Sequence, residues 1–272
     1  MSVRDEFYAR HLFLERFKFS GGRKHVIRRL DAINGEDADF VFQIRNCKRT
    51  YVLKMYKFYR SELHASKLPG FEKQLRYDRF LAEGRAYGKL IKEGRNGLHT
   101  PTCHGWVEVP QEVEVQIARK FDIPVFLWDR PPGSQDPVRG ILFDFVEGVD
   151  ISEVNLTPEI AASLRCRLQQ IHDCGIAHGD IQGQNILVTQ HGPCFLDFGS
   201  SITLPHPSFP PHLMPNFEER LQRDFRDLEI GVAMLSRGST LADMPLLHES
   251  TIDDLINDYP TAKARWLPRS KS

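Results

Sequence analysis

Residues 178–199 read HGDIQGQNILVTQHGPCFLDFG and set Asp180, Asn185 and Asp197 around two short apolar runs. Ile186, Leu187 and Val188 form one β-rich run and Cys194, Phe195 and Leu196 a second; Thr189 to Pro193 between them carries Gly and Pro as turn residues. This pattern predicts a hairpin. Asn185 stands at the entrance of its first strand and Asp197 at the exit of its second, so pairing brings both side chains to one end, with Asp180 in the loop just before. A hard cation such as Mg²⁺ takes oxygen ligands, often only one or two from protein, and fills the rest of its octahedron with water and phosphates. Asn185 and Asp197 suit that demand. The plain alternative is a polar hairpin whose carboxylates cap backbone amides.

His178-Gly179-Asp180, Asn185 five residues after the aspartate, and Asp197-Phe198-Gly199 resemble the catalytic loop and metal-binding motif of the protein-kinase-like superfamily. Gly179 stands where the common kinase pattern has Arg, and the His-Gly-Asp version is similar to the RIO-type and aminoglycoside phosphotransferase branches. The resemblance implies an α+β, two-lobed protein-kinase-like fold, with a small β-rich N-lobe holding one long helix and a reduced, mainly helical C-lobe. On that reading residues 1–272 are a single kinase-like domain, with an N-lobe at 1–143, an insert at 107–139 inside it, a hinge at 144–148 and a C-lobe at 149–272.

The implied activity is an ATP- and Mg²⁺-dependent phosphotransferase that moves the γ-phosphate to a hydroxyl acceptor, a protein or a small molecule. An atypical Ser/Thr protein kinase is the leading form. A small-molecule kinase of the aminoglycoside type and a non-catalytic, pseudokinase-like binding module are the alternatives. The resemblance casts Asp180 as the residue that orients the acceptor hydroxyl and Asn185 and Asp197 as the Mg²⁺ ligands. Lys54, fixed by Glu83, holds the phosphates, and the backbone at Asp144 and Val146 reads adenine. Gln182 stands where kinases of different branches carry Lys or His, so the acceptor class is undeclared.

Composition sets the outer bounds. Of 272 residues 41% are hydrophobic, enough to bury a substantial core. Lys plus Arg equals Asp plus Glu at 36 each, so there is no cationic excess and nucleic acid is not a favoured partner. No apolar run approaches the roughly 20 residues of a membrane span, and MSVRDEFYARHLFLERF interrupts its apolar residues with charges. These features predict a soluble, cytoplasmic protein without a secretory signal. The five cysteines are scattered, without zinc spacing, and read as reduced buried thiols.

An N-lobe of the implied kind needs a lysine on a strand and a glutamate on a helix. HVIRRLDAI, DFVFQIRN and TYVLKMY, between residues 25 and 56, are strand-like, and Lys54 lies in the third. Taken alone, it could equally be a solvated edge charge. Residues 70–93 predict one helix with Phe80, Tyr87 and Leu90 on its apolar stripe; Glu83 falls on that stripe and calls for an internal cation, unless it snorkels from the stripe's edge. GILFDFVEG, residues 140–148, reads as a buried strand running into the hinge, and 129–137 as a loop on Pro-Gly chemistry.

Thr157-Pro158 predicts an N-cap followed by Pro at the first helical position, with Ile160, Leu164, Leu168 and Ile171 in helical spacing as far as Gly175. A second helix, 216–236, carries Asp227, which is similar to the family aspartate bracing the catalytic-loop backbone; an exposed acid is the alternative. Two features depart from the kinase pattern. Asn34 to Asp39 replaces a glycine-rich loop with three acids, which repel phosphate, and five prolines between 205 and 215 stand where an activation segment would run.

Overall fold

The strand-like runs on either side of residue 47 become the middle of a five-stranded antiparallel sheet. The computed structural model describes residues 12, 14–17, 24–30, 39–46, 49–60, 70–206, 214–236 and 266. Among these the fold is α+β, with a mainly antiparallel sheet and five α-helices. The chain divides into two units, residues 1–145 and 146–272.

In the first unit the strands are β1 (Lys24–Arg29), β2 (Phe40–Asn46), β3 (Arg49–Tyr56), β4 (Cys103–Val109) and β5 (Val138–Asp144). They lie in the order β1-β2-β3-β5-β4. Side chains alternate across a strand, so the register decides what each face carries. Phe40, Phe42 and Ile44 pair with Met55, Leu53 and Tyr51 on one face, while Lys54 pairs with Val41 and Ile141 on the other.

The expected single helix over 70–93 is two: α1 (Gly70–Tyr77) and α2 (Arg79–Lys92). Asp78 causes the break. Its backbone is extended, with φ −70° and ψ 111°, and its carboxylate accepts the Phe80 N–H at 3.1 Å, the geometry of an N-cap. Asp78 also takes Arg139 of β5 at 2.8 Å, which ties the start of α2 to the sheet. From there α2 lays Phe80, Glu83, Tyr87 and Leu90 on the Lys54 face; the Tyr87 ring stands 4.8 Å from Phe143 and the Phe80 ring 6.3 Å from Trp106.

The opposite face is covered by the insert, which is more structured than its sequence suggests. Pro110 opens α3 (Gln111–Lys120), and a 3-10 turn at Val125–Trp128 follows. Ile117, Ala118 and the fully buried Trp128 pack on Phe40, Phe42, Leu53, Met55 and Leu142. Each large apolar side chain buried this way contributes about 1.5–3 kcal/mol, so the insert supplies one half of the sheet's core. Along the outer edge of β4, Trp106 donates to the Glu15 carbonyl at 3.1 Å and accepts the Phe17 N–H at 2.8 Å. Gly105, at φ +126°, admits this added segment, since a Cβ there would meet the Glu15 carbonyl at 2.5 Å.

In the second unit, α4 (Pro158–His172) starts as its sequence predicts: the Thr157 hydroxyl accepts the Ile160 N–H at 3.3 Å with Pro158 next. Leu164, Leu168 and Ile171 are fully buried. Short strands β6 (Val149–Asp150), β8 (Ile186–Thr189) and β9 (Gly192–Phe195) form one sheet, and β7 (Ile176–Ala177) pairs with β10 (Ile202–Thr203). The predicted hairpin is therefore present, with Ile186 opposite Phe195 and Leu187 opposite Cys194. Arg167 of α4 holds its turn by donating to the carbonyls of Pro193, at 2.6 Å, and His191. The last helix is α5 (Met214–Leu235), and the indole of Trp266 fills the space beside Gly231 where a side chain would otherwise lie.

Of the acidic turn only Asp39 is described; Asn34 to Ala38 lie outside the described residues, as do 207–213 of the proline-rich segment. Among the described cysteines, Cys103, Cys174 and Cys194 are buried free thiols, but Cys166 is exposed on α4, which corrects the expectation that all are buried. Cys47 lies outside the described residues. No helix among the described residues is long and apolar enough to cross a membrane.

Candidate functional site

The polar residues singled out by the sequence fall into two clusters, one in each unit. In the first, β3 presents Lys54 to α2, and its ammonium stands 2.6 Å from Glu83. The same carboxylate oxygen accepts the Tyr56 hydroxyl at 2.6 Å. Asp39, at the start of β2, lies 4.0 Å from the Lys54 ammonium and takes Arg79 at 2.7 Å. Lys54, Glu83 and Asp39 are 5%, 1% and 6% exposed, so this is a buried ion cluster on a central strand rather than an edge charge or a snorkelling acid. Two cations, Lys54 and Arg79, face two carboxylates, Asp39 and Glu83, in these pairs.

Taking an ion out of water costs several kcal/mol, and only close pairing with hydrogen bonds offsets it. Lys54 has that pairing from protein carboxylates. The acid that makes the difference is Asp39, from the turn that departs from the glycine-rich pattern: it reaches inward to the cations.

In the second unit the hairpin brings the expected residues to one end, where the Leu196 N–H donates to the Asn185 carbonyl at 2.8 Å. A single oxygen of Asp180 accepts from Gln182 at 2.8 Å and from the Asn185 amide at 3.0 Å, and that amide also donates to the Asp180 carbonyl at 2.9 Å. Asp197 has a left-handed backbone, φ +58°, and its carboxylate accepts the Gly199 N–H at 3.0 Å. That contact is the amide capping named as the plain alternative for this stretch. Asn185 and Asp197 are both oxygen donors of the type Mg²⁺ takes.

His178 is fully buried, its ring 4.5 Å from Phe198; Nδ1 accepts the Asp180 N–H at 3.3 Å and Nε2 lies 2.9 Å from the Leu196 carbonyl. Asp224 braces this loop from beneath. One Asp224 oxygen accepts the His178 N–H at 2.6 Å and the other the Gly179 N–H at 2.9 Å, while His172 stands 3.1 Å away. Asp227 lies three residues further along the same face of α5 and is likewise buried, not the exposed acid of the alternative reading. Gly179 itself has φ +80°, and a Cβ would run into the Ser200 carbonyl, which is why this position carries no Arg.

Asp144, at the end of β5, pairs with His104 at 2.7 Å, and its N–H donates to the Thr102 carbonyl at 2.9 Å. Val146 is the first residue of the second unit. The structure thus joins Lys54 to Glu83 and Asp180 to Asn185, and it adds Asp39, Arg79, Tyr56 and Asp224, which the sequence reading did not place in the clusters.

Taken together these features define an α+β chain whose motif residues are bound up in its own ion pairs and backbone caps. A family profile described as "Kinetochore Sim4 complex subunit FTA2" matches residues 13–202, more than half of the chain, and the chain belongs to that family. A comparison with curated proteins finds no match.

Family membership corrects the kinase identification. The chain is not placed in the protein-kinase-like superfamily, in its RIO-type or aminoglycoside-type branches, or among ATP-dependent phosphotransferases; kinase, transferase and ATP-binding descriptions fall with that identification, since the family is one of a complex subunit. The physical reason lies in how little of the chain the resemblance used. Three short motifs, a lysine and a glutamate are groups that a fold can equally employ to neutralise buried charge and to cap amides.

Proposed function

We propose that this chain is a non-catalytic subunit of a Sim4-type kinetochore complex, acting through protein partners in a nuclear, chromosome-associated assembly rather than on a hydroxyl acceptor in the cytoplasm. The observation that carries this reading is the family match over residues 13–202, a span that contains Lys54, Glu83, Asp144, Val146, Asp180, Asn185 and Asp197. The ion pairs of the Asp39–Lys54–Glu83–Arg79 cluster support assigning those four to holding the sheet and α2 together. Asp180, Asn185 and Asp197 are assigned in the same way to fixing the hairpin and its loop. A two-lobed arrangement, sheet-rich before residues 144–148 and mainly helical after them, is the architecture we associate with this role, and the division at residue 145 supports it.

Two experiments test this reading. With Asp180→Asn in place of the wild-type chain in cells, kinetochore assembly is expected to be unchanged, because the amide preserves the shape of the loop while removing the charge a transfer reaction would use. Millimolar Mg-ATP is expected to leave the melting temperature of the purified protein unmoved, whereas a ligand at a hundred times its Kd would stabilise by about 2.7 kcal/mol. A metal-dependent shift with ATP, together with loss of assembly in Asp180→Asn, would overturn the reading and restore ATP and Mg²⁺ as occupants.

A further inference from the structure

On α2, Arg85 follows Glu83 by two residues and so points about 200° around the helix from it, away from the sheet. It is nevertheless only 1% exposed, with Leu75 of α1 and, beside Gly84, Leu12 covering that side of α2. One terminal nitrogen, Nη2, donates to the Leu75 carbonyl. Among the described residues neither Nε nor Nη1 of Arg85 has a hydrogen-bond partner. Asp78, whose charge acts on Arg85, is no remedy. Asp78 already receives Arg139 through both oxygens, at 2.8 and 3.4 Å, along with Gln74 at 3.4 Å and the Phe80 N–H. Among the described residues, the carboxylate that acts on Arg85 is thus already engaged by Arg139, Gln74 and the Phe80 N–H.

Burial pulls the Arg85 guanidinium down to about 10, with Asp78 opposing that fall, so the group keeps its charge at neutral pH. A buried cation with open donors is a strong liability for a fold and an equally strong receptor for an anion.

We infer that Arg85 is an oxyanion receptor: a carboxylate or phosphoryl group from outside this chain reaches Nε and Nη1 between α1 and α2. The inference stands independently of which assembly the chain joins. α1 has only eight residues, so a small displacement of two helical turns admits a compact anion. A planar guanidinium suits carboxylate and phosphate oxygens alike, and the chemistry is common to both sources.

The test compares wild type and Arg85→Met by thermal unfolding in sodium phosphate and, separately, sodium propionate, each against sodium chloride at matched ionic strength. Non-specific salt effects act on both proteins equally and cancel in the difference. The wild-type melting temperature should rise saturably and by several degrees more than that of Arg85→Met; a rise with propionate identifies a carboxylate and a rise with phosphate a phosphoryl group. Should Arg85→Met fail to fold, the Arg85 Nε–H resonance of wild type should shift saturably with the same anion. Equal anion responses in the two proteins, or an Nε–H resonance unmoved by both anions, would overturn the inference.

Discussion

Replacing Lys54 with Met removes one cation from a cluster in which Lys54, Glu83 and Asp39 are buried and Arg79 is partly exposed. Glu83, 1% exposed, loses its ammonium partner and retains the Tyr56 hydroxyl, while Asp39 keeps Arg79 at 2.7 Å. Breaking a buried ion pair by deleting one partner costs about 3–5 kcal/mol, because the other charge stays behind uncompensated. At about 2–4 °C per kcal/mol for a chain of this size, Lys54→Met should melt on the order of 10 °C below wild type. The double variant Lys54→Met/Glu83→Leu removes both charges and should recover most of that loss, less about 1 kcal/mol for the hydrogen bond from Tyr56. The assay is circular dichroism melting of wild type, both single variants and the double variant, read as a thermodynamic cycle. A Lys54→Met shift no larger than the roughly 0–1 kcal/mol of a surface pair, or a double variant worse than the sum of the singles, would refute the cluster's structural role.

Other substitutions probe the loop that precedes the hairpin. Asp224→Ala should leave the His178 and Gly179 N–H groups without their acceptor, a loss of about 2–6 kcal/mol from two unmade buried bonds, measurable by denaturant unfolding. Gly179→Ala should destabilise by more than the roughly 1–2 kcal/mol of a left-handed non-glycine residue, because the Ser200 carbonyl adds a clash; stability equal to wild type would show that the loop can move aside. Burial pushes the Cys194 thiol up to about 12, so it stays neutral at pH 8, and among the described cysteines alkylation should reach exposed Cys166 first by peptide mapping. The same raised value means the folded chain holds this proton more tightly than the unfolded one. Its contribution to stability is therefore full below about pH 9 and lost as pH climbs towards 12, which a pH series of melts on wild type and Cys194→Ala should show.

The hairpin was legible because its two runs and their Gly-Pro turn carry strand chemistry in adjacent residues, and α4 because Thr157-Pro158 announces a helix start in local terms. Lys54 and Glu83 could be paired from sequence because a charge on an apolar stripe demands a partner. What failed was decided by tertiary placement. The insert at 107–139 was read without a helix, yet α3 forms there because Ile117 and Ala118 find the open face of the sheet. Asp78 stops a continuous helical pattern because its side chain closes the next helix's first turn. Asp224 was not singled out because only the register of α5 against His178 brings its carboxylate to that backbone. The kinase resemblance rested on residues whose chemistry serves a folded core as readily as a phosphate, whereas the family match over 13–202 is to a kinetochore complex subunit.

Membership of a kinetochore complex is tested most directly by purifying the tagged, full-length chain from the cells that make it and measuring the stoichiometry of what comes with it. The expected result is recovery in a discrete complex, with the other Sim4 subunits present in ratios near one to one, for wild type and Asp180→Asn alike. Recovery of wild type as a single species without any of those subunits, under conditions that keep the rest of that complex intact, would contradict the account.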